Sequence, residues 1–271
     1  MCAFAQNSFS QDKLLTLQEL QKKKLFKSIN EALQDPGNVY RLNLQNSGLT
    51  QIPAELLQLK NLQSLNLSDN HISSLPSEIS SLKNLQWLNL AGTDITILPA
   101  AISQLKQLIS LNLNGATSLN ITDALIKIFS LVNLKELTMN SVYMMSLPPQ
   151  IKKLDKLEKL TLVKCGLAEI TNEIGSLKNL KYLDVSFNEL TSIPAGIGKL
   201  RMLLEFYLGG NQIIKLPDEI KDLKENLSIL GLASIDNETG GGSFTGNPIP
   251  KAEVANIQEW LPDTKIVFVW E

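Results

Sequence analysis

Apolar and polar positions alternate along this chain in a phrase that returns from residue 39 to residue 235. Residues 61–83, NLQSLNLSDNHISSLPSEISSLK, and residues 84–106, NLQWLNLAGTDITILPAAISQLK, show the phrase twice in succession. Its opening, x-L-x-L-x, has a period of two, which predicts a short strand with leucines on one face and variable residues on the other. An LPxxIxxL-like segment follows, where proline fixes φ and an Ile/Leu pair such as Ile79 and Leu82 turns back toward the leucines. One such unit cannot bury its own apolar face. Stacked in parallel, the units bury it in a continuous core.

Aligned on L-x-x-L-x-L-x-x-N-x-L, nine copies begin at Val39, Leu62, Leu85, Leu108, Leu134, Leu157, Leu180, Leu203 and Leu227. The spacings are 23, 23, 23, 26, 23, 23, 23 and 24. Together with continuations such as IPAELLQLKNL, LPPQIKKLDKL and LPDEIKDLKEN, the pattern resembles the 23-residue LPxxIxxLxxL class of leucine-rich repeats. That class is found in bacterial exported and surface proteins and in intracellular signalling scaffolds. The resemblance implies an α/β leucine-rich-repeat solenoid, a right-handed horseshoe or arc with a concave parallel β-sheet. The ninth position, Asn70, Asn188 and Asn211, is where a buried amide would bond adjacent turns. Four consecutive repeats carry Thr93, Ala116, Val142 and Cys165 there instead. The same zone holds the long repeat, whose GATSLNITDALIKIFSLVN predicts a true outer helix and a local change of curvature between Leu108 and Leu134.

Open solenoid ends expose core and need caps. Residues 12–38 read as a helical N-terminal cap: Thr16 with Glu19 and Ser28 with Glu31 each fit a capping box, and the second helix is expected to end at Asp35-Pro36-Gly37. Residues 39–235 are the nine repeats, and residues 236–271 are a helix–strand C-terminal cap. Within it, DNETGGGSFTG reads as a flexible loop, followed by a proline-started helix to Trp260 and a strand from Lys265 to Trp270. Residues 1–11, MCAFAQNSFSQ, read as a disordered tail or as the remnant of a signal peptide with a small-residue cleavage site.

Composition narrows the function. Net charge is −2, so no basic field would draw in nucleic acid, and Lys22-Lys23-Lys24 with Lys27 reads as a solvated helix face. Two cysteines, Cys2 and Cys165, cannot build a disulfide scaffold. No apolar run reaches transmembrane length. His71 is the only histidine, and it reads as edge-exposed and unpartnered. There is no HExxH or CxxC, and TGGGSFTGN lacks the Gly-Lys-Ser/Thr ending of a phosphate loop. The sequons at Asn66, Asn120, Asn226 and Asn237 are expected by accident of composition. No cofactor, metal or enzymatic activity is expected.

What remains is the outward face of the strands. One column reads Arg41, Ser64, Trp87, Ser110, Glu136, Lys159, Tyr182, Glu205 and Ile229, and the next begins Asn43, Asn66, Asn89 and Asn112, read as a ladder of amides. Large aromatics facing water mark binding anchors. The candidate ligand-binding residues are therefore Arg41, Trp87, Glu136, Lys159, Tyr182, Phe187, Glu205 and Tyr207. The expected function is non-catalytic recognition of a protein, peptide or glycan by a monomer outside the cytoplasm. The alternative is an intracellular scaffold engaging small GTPases or kinases. A third reading is the recognition part of a larger enzyme, such as a bacterial ubiquitin ligase.

Overall fold

A computed structural model describes residues 14–236 and 243–268. The tail 1–11 with Cys2, the sequon Asn237, most of the glycine-rich stretch, and the end of the expected terminal strand lie outside those residues.

The alternating segments are the strands. They are β1 (Leu25–Phe26), β2 (Arg41–Asn43), β3 (Ser64–Asn66), β4 (Trp87–Asn89), β5 (Ser110–Asn112) and β6 (Glu136–Thr138). After β7 (Ser146–Leu147) come β8 (Lys159–Thr161), β9 (Glu169–Ile170), β10 (Tyr182–Asp184), β11 (Glu205–Tyr207) and β12 (Ile229–Gly231). The chain ends with β13 (Ala233–Asp236), β14 (Ser243–Gly246) and β15 (Lys265–Val267). Eleven of them form one sheet in the order β1-β2-β3-β4-β5-β6-β8-β10-β11-β12-β15, and every pair is parallel. The chain is a right-handed solenoid with this sheet on its concave side. At about 4.8 Å per strand the sheet runs roughly 48 Å. Two strands beyond the nine repeats come from the caps.

Inward residues stack in register. Leu42, Leu65, Leu88, Leu111, Leu137, Leu160, Leu183, Phe206 and Leu230 form one row, and none is more than 2% exposed. Burying a side chain of this size stabilises by about 1.5–3 kcal/mol, and only a stacked neighbour makes that burial possible. On the outer side, prolines 53, 76, 99, 194 and 217 each precede a short 3-10 turn that returns an Ile or Leu to the core.

The asparagine positions behave as the spacing predicts. Asn188 is buried; its amide donates to Leu162 O (2.7 Å) and Val185 O (2.8 Å), and its Oδ1 accepts from the N–H of Cys165 (2.8 Å) and Leu167 (3.1 Å). Asn70 and Asn211 join their neighbours in the same way. Where asparagine is missing, Thr93 donates to Leu90 O (2.7 Å) and the Cys165 thiol to Met139 O (3.1 Å). Ala116 and Val142 supply no side-chain bond, and the residue two positions earlier takes over. Asn114 Oδ1 accepts from Asn140 N–H (2.8 Å), and Asn140 Oδ1 accepts from Val163 N–H (2.9 Å).

Each turn off a strand also needs a left-handed residue. Positions 46, 69, 92, 115, 141, 164, 187 and 210, the eighth of each of the first eight repeats, all have φ between 51° and 71°. Gly, Asn and Asp suit this region, whereas a bulky side chain costs about 1–2 kcal/mol there. Phe187, with φ 55°, is the aromatic among them.

The long repeat forms the expected helix, here α3 (Ile121–Ile128), capped by Asn120, whose Oδ1 accepts from Asp123 N–H (3.2 Å). Pairing from Ser110↔Glu136 to Asn112↔Thr138 passes through without a slip. The extra residues are therefore taken up on the outer side.

Both caps differ from expectation in detail. At the N-terminus, α1 (Leu17–Gln21) has the Thr16/Glu19 capping box and α2 (Ile29–Ala32) is capped by Ser28. The second helix stops at Ala32, and Pro36–Asn38 is a separate 3-10 turn. Between the helices, β1 adds an edge strand to β2. At the other end, the stretch read as a flexible loop is framed by an antiparallel hairpin, β13 with β14. Asn247 follows it and does what Asn188 does, donating to Leu208 O (2.9 Å) and Leu232 O (3.0 Å). The ninth coil thus closes at Asn247, with the hairpin inserted before it. Then α4 (Lys251–Trp260) covers the outer side, and β15 pairs with β12.

Candidate concave binding surface

Strand pairing places the outward column in one continuous row: Arg41, Ser64, Trp87, Ser110, Glu136, Lys159, Tyr182, Glu205, Ile229. Trp87 and Tyr182 stand four strand spacings apart, about 19 Å.

Toward the N-terminal end, Trp87 stands between Ser64 and Ser110, as the column predicts. Its ring is not wholly open, because the N-terminal cap reaches its edge. Leu15 N–H donates to Gln63 Oε1 (3.0 Å), and Gln86 donates to Leu15 O (3.0 Å). Thr16 and Leu17 then line, with Trp87, Ile109, Glu136 and Glu158, a cavity of about 320 Å³. Glu158 bridges Lys181 (2.7 Å) and Lys135 (2.9 Å) along the rim, and these two lysines hold its carboxyl below the usual range. Arg41 sits apart from Trp87. Its guanidinium donates to Gln21 O (3.0 Å) and Lys23 O (3.2 Å), so its structural task is to clamp the cap. Glu136 is exposed beside Lys159 on the next strand.

Farther along, the row becomes a cluster. The Tyr182 and Tyr207 rings lie 5.5 Å apart, tilted at 42°. The Lys159 ammonium is 4.9 Å from the centre of the Tyr182 ring. Tyr207 OH donates to Glu205 Oε2 (2.8 Å), and Tyr182 OH approaches Asp184 Oδ2 (3.5 Å). Burial pushes the Tyr182 phenol well above its ordinary value and that of Tyr207 to about 12, with neighbouring carboxylates adding to both. Asp184, absent from the candidates read from sequence, is also raised by burial. Gly231 makes room for the Tyr207 ring, since a Cβ there would come within 2.6 Å of it.

Phe187 lies on the turn that leaves β10, not on a strand. Its ring rests on Gly210, where a Cβ would approach within 2.6 Å, and the Lys164 ammonium stands 5.5 Å from its centre. The strain of this φ is offset by the packing that holds the ring in place.

The asparagine column corrects a reading from sequence. Asn43, Asn66, Asn89 and Asn112 do not bond one another as a ladder. Each Oδ1 accepts from the N–H two residues on, at 3.0 Å. Asp184 closes the same turn with Ser186 N–H (3.0 Å).

Other candidate chemistry dissolves. His71 is exposed but partnered, its Nδ1 3.1 Å from Asp94 Oδ2. The Cys165 thiol is buried and pushed up to about 11 by that burial, which leaves it unreactive. Among the described residues no group of His, Cys, Asp and Glu could hold a metal ion. No helix among them is long and apolar enough to cross a membrane.

Comparison with known proteins agrees with this architecture. A leucine-rich repeat region profile matches residues 39–165, and a leucine rich repeat profile matches residues 155–213. No curated protein matches the sequence. Among solved structures, the internalin InlF of Listeria monocytogenes is 23% identical over 87% of this chain and 62% of its own, with a TM-score of 0.67. TLR13, solved in a complex with ssRNA13, is 28% identical over 78% of this chain and 31% of its own, with a TM-score of 0.61. The plant peptide hormone receptor RGFR1, in complex with RGF2, is 22% identical over 76% of this chain and 38% of its own, with a TM-score of 0.51. The chain thus spans less than two thirds of the length of each of these proteins. Their likeness is one of fold, and it does not single out the bacterial exported class.

Proposed function

Because the chain belongs to the leucine-rich-repeat family, we propose that its concave face is a non-catalytic recognition surface for a protein or an extended peptide, working outside the cytoplasm. One observation carries the reading: the unbroken outward row that joins Trp87 to the cluster of Lys159, Tyr182, Glu205 and Tyr207. Packed rings with their polar ends tied to carboxylates are pre-organised, so little side-chain freedom is lost on binding. A ligand touching both ends must extend about 19 Å, which favours a polypeptide over a small metabolite. A glycan of comparable length would meet the same aromatic and amide surface. Extracytoplasmic placement draws support from the internalin and receptor likeness, and an intracellular scaffold for GTPases or kinases has no such neighbour among those described above.

The test is affinity for the partner recovered by pull-down, measured by titration. Trp87→Ala and Tyr182→Ala should each weaken binding by about 2 kcal/mol if the ring is an anchor. Neither ring belongs to the leucine core, so each loss should cost the fold little beyond the worth of an aromatic pair, about 0.5–1.5 kcal/mol. Unchanged affinity in the double mutant would remove the site from the concave face.

A further inference from the structure

The irregular fourth repeat opens a second surface, on the outer side. There α3 packs against the 3-10 turn before it, Ala100–Gln104, while the turn after it, Pro149–Lys153, packs against the one that follows. Between them lies a cleft of about 540 Å³. Leu125 from α3, Phe129 just beyond its end and Met144 from the opposite wall make its floor. At its mouth stand three large apolar side chains turned to water: Ile126 (72% exposed), Met145 (68%) and Tyr143 (65%). Tyr143 is braced from behind by Gly166, where a Cβ would come within 2.5 Å of its ring. Lys153 is the one charged residue in the lining, and no carboxylate among the described residues pairs with it.

We propose that this cleft is a docking site for a short amphipathic helix of a partner protein, with an acidic residue beside its apolar face. A small apolar molecule could fill the floor but would leave Ile126, Met145 and Tyr143 in water. Only a partner that overlaps the mouth covers them, and Met and aromatic side chains are enriched where proteins meet. An extended peptide is less suited, because the strand beside the cleft, β7, is only two residues long and offers too short an edge for a peptide strand to pair along. A helix instead inserts side chains into the groove and needs no strand edge. The unpaired Lys153 ammonium fixes the sign of the flanking charge.

Two fluorescent synthetic helices with the same Leu/Ile face, one flanked by Glu and one by Lys, test this by anisotropy. The Glu-flanked peptide should bind about threefold more tightly at low salt, with the gap closing as salt rises. Lys153→Glu should reverse the preference. Ile126→Glu and Met145→Glu should each weaken binding about tenfold or more. Both side chains face water, so the fold should survive, as a melting curve checks for each variant. Trp87→Ala with Tyr182→Ala should leave this binding unchanged, which separates the cleft from the concave face. Failure of both peptides to bind, or binding indifferent to Ile126→Glu and Met145→Glu, would overturn the proposal. So would a fluorescent long-chain fatty acid that enters the cleft when neither peptide does.

Discussion

Replacing Asn247 by alanine asks whether the C-terminal cap is held by the same device as the coils. Asn247 is 5% exposed, so water cannot step in. Its amide reaches Leu208 O and Leu232 O, and its Oδ1 takes the Ile213 N–H at 3.1 Å. The two carbonyls keep other partners, Asn211 Nδ2 for Leu208 O and Asn247 N–H for Leu232 O. Each loses one bond, worth about 0.5–1 kcal/mol. The Ile213 N–H has no second acceptor among the described residues, and leaving it unsatisfied costs about 1–3 kcal/mol. The expected loss is therefore about 2–5 kcal/mol. Asn89→Ala is the control. It removes one bond, to the Ala91 N–H, on a half-exposed surface where water can replace it, and should cost less than about 1 kcal/mol. A repeat protein can open from one end, so a whole-molecule melt under-reports a local loss. Hydrogen exchange should show faster opening across residues 249–267 in Asn247→Ala, with repeats one to five unchanged. Equal costs for the two variants, or faster exchange spread evenly along the chain, would refute the reasoning.

Two further outcomes follow from the titratable groups. Burial raises the Asp184 carboxyl above its ordinary 3.8, so between that value and the folded one the native state holds the extra proton, and stability falls as pH rises through the window. Asp184→Asn keeps the acceptor for Ser186 N–H, should raise the melting temperature at neutral pH, and should lose that advantage as pH falls toward the unfolded value; an advantage constant with pH would contradict this. In a Cys2→Ser background, the Cys165 thiol should resist alkylation at mildly alkaline pH and react only when the chain is unfolded, as mass spectrometry of native and urea-treated protein would show. Rapid native labelling would mean that its coil opens readily.

The repeated coil was legible because its period is carried by residues whose reasons are local. A leucine row must stack, and Asn188 and Asn211 sit where a buried amide can bond the turns on either side. Spacing failed where an insertion hid the phase. Asn247 looks like an isolated loop residue until the β13–β14 hairpin is folded out of the way. The short strand β1 gave no alternation to read, being two residues long. The left-handed Phe187 is invisible to residue type, which argues against positive φ, yet its eighth position predicts it. Trp87 and Tyr182 were readable as outward aromatics, but the cap beside one and the carboxylates around the other come from distant turns. The cleft at α3 leaves no mark in the sequence, because Ile126, Tyr143 and Met145 look like core residues in a string of letters.

The hairpin has a bearing on how such a molecule could be altered. It departs at Ala233 and returns at Gly246, which face each other as paired residues, and Asn247 N–H bonds Leu232 O at 3.1 Å across the gap. The scaffold on either side therefore meets a closed gate, whatever is strung beyond it. Segments of different length or composition could be exchanged at this joint while β12 and α4 stay in place. A laboratory, or natural variation, could thus diversify the segment that the hairpin carries and leave the coil that supports it untouched.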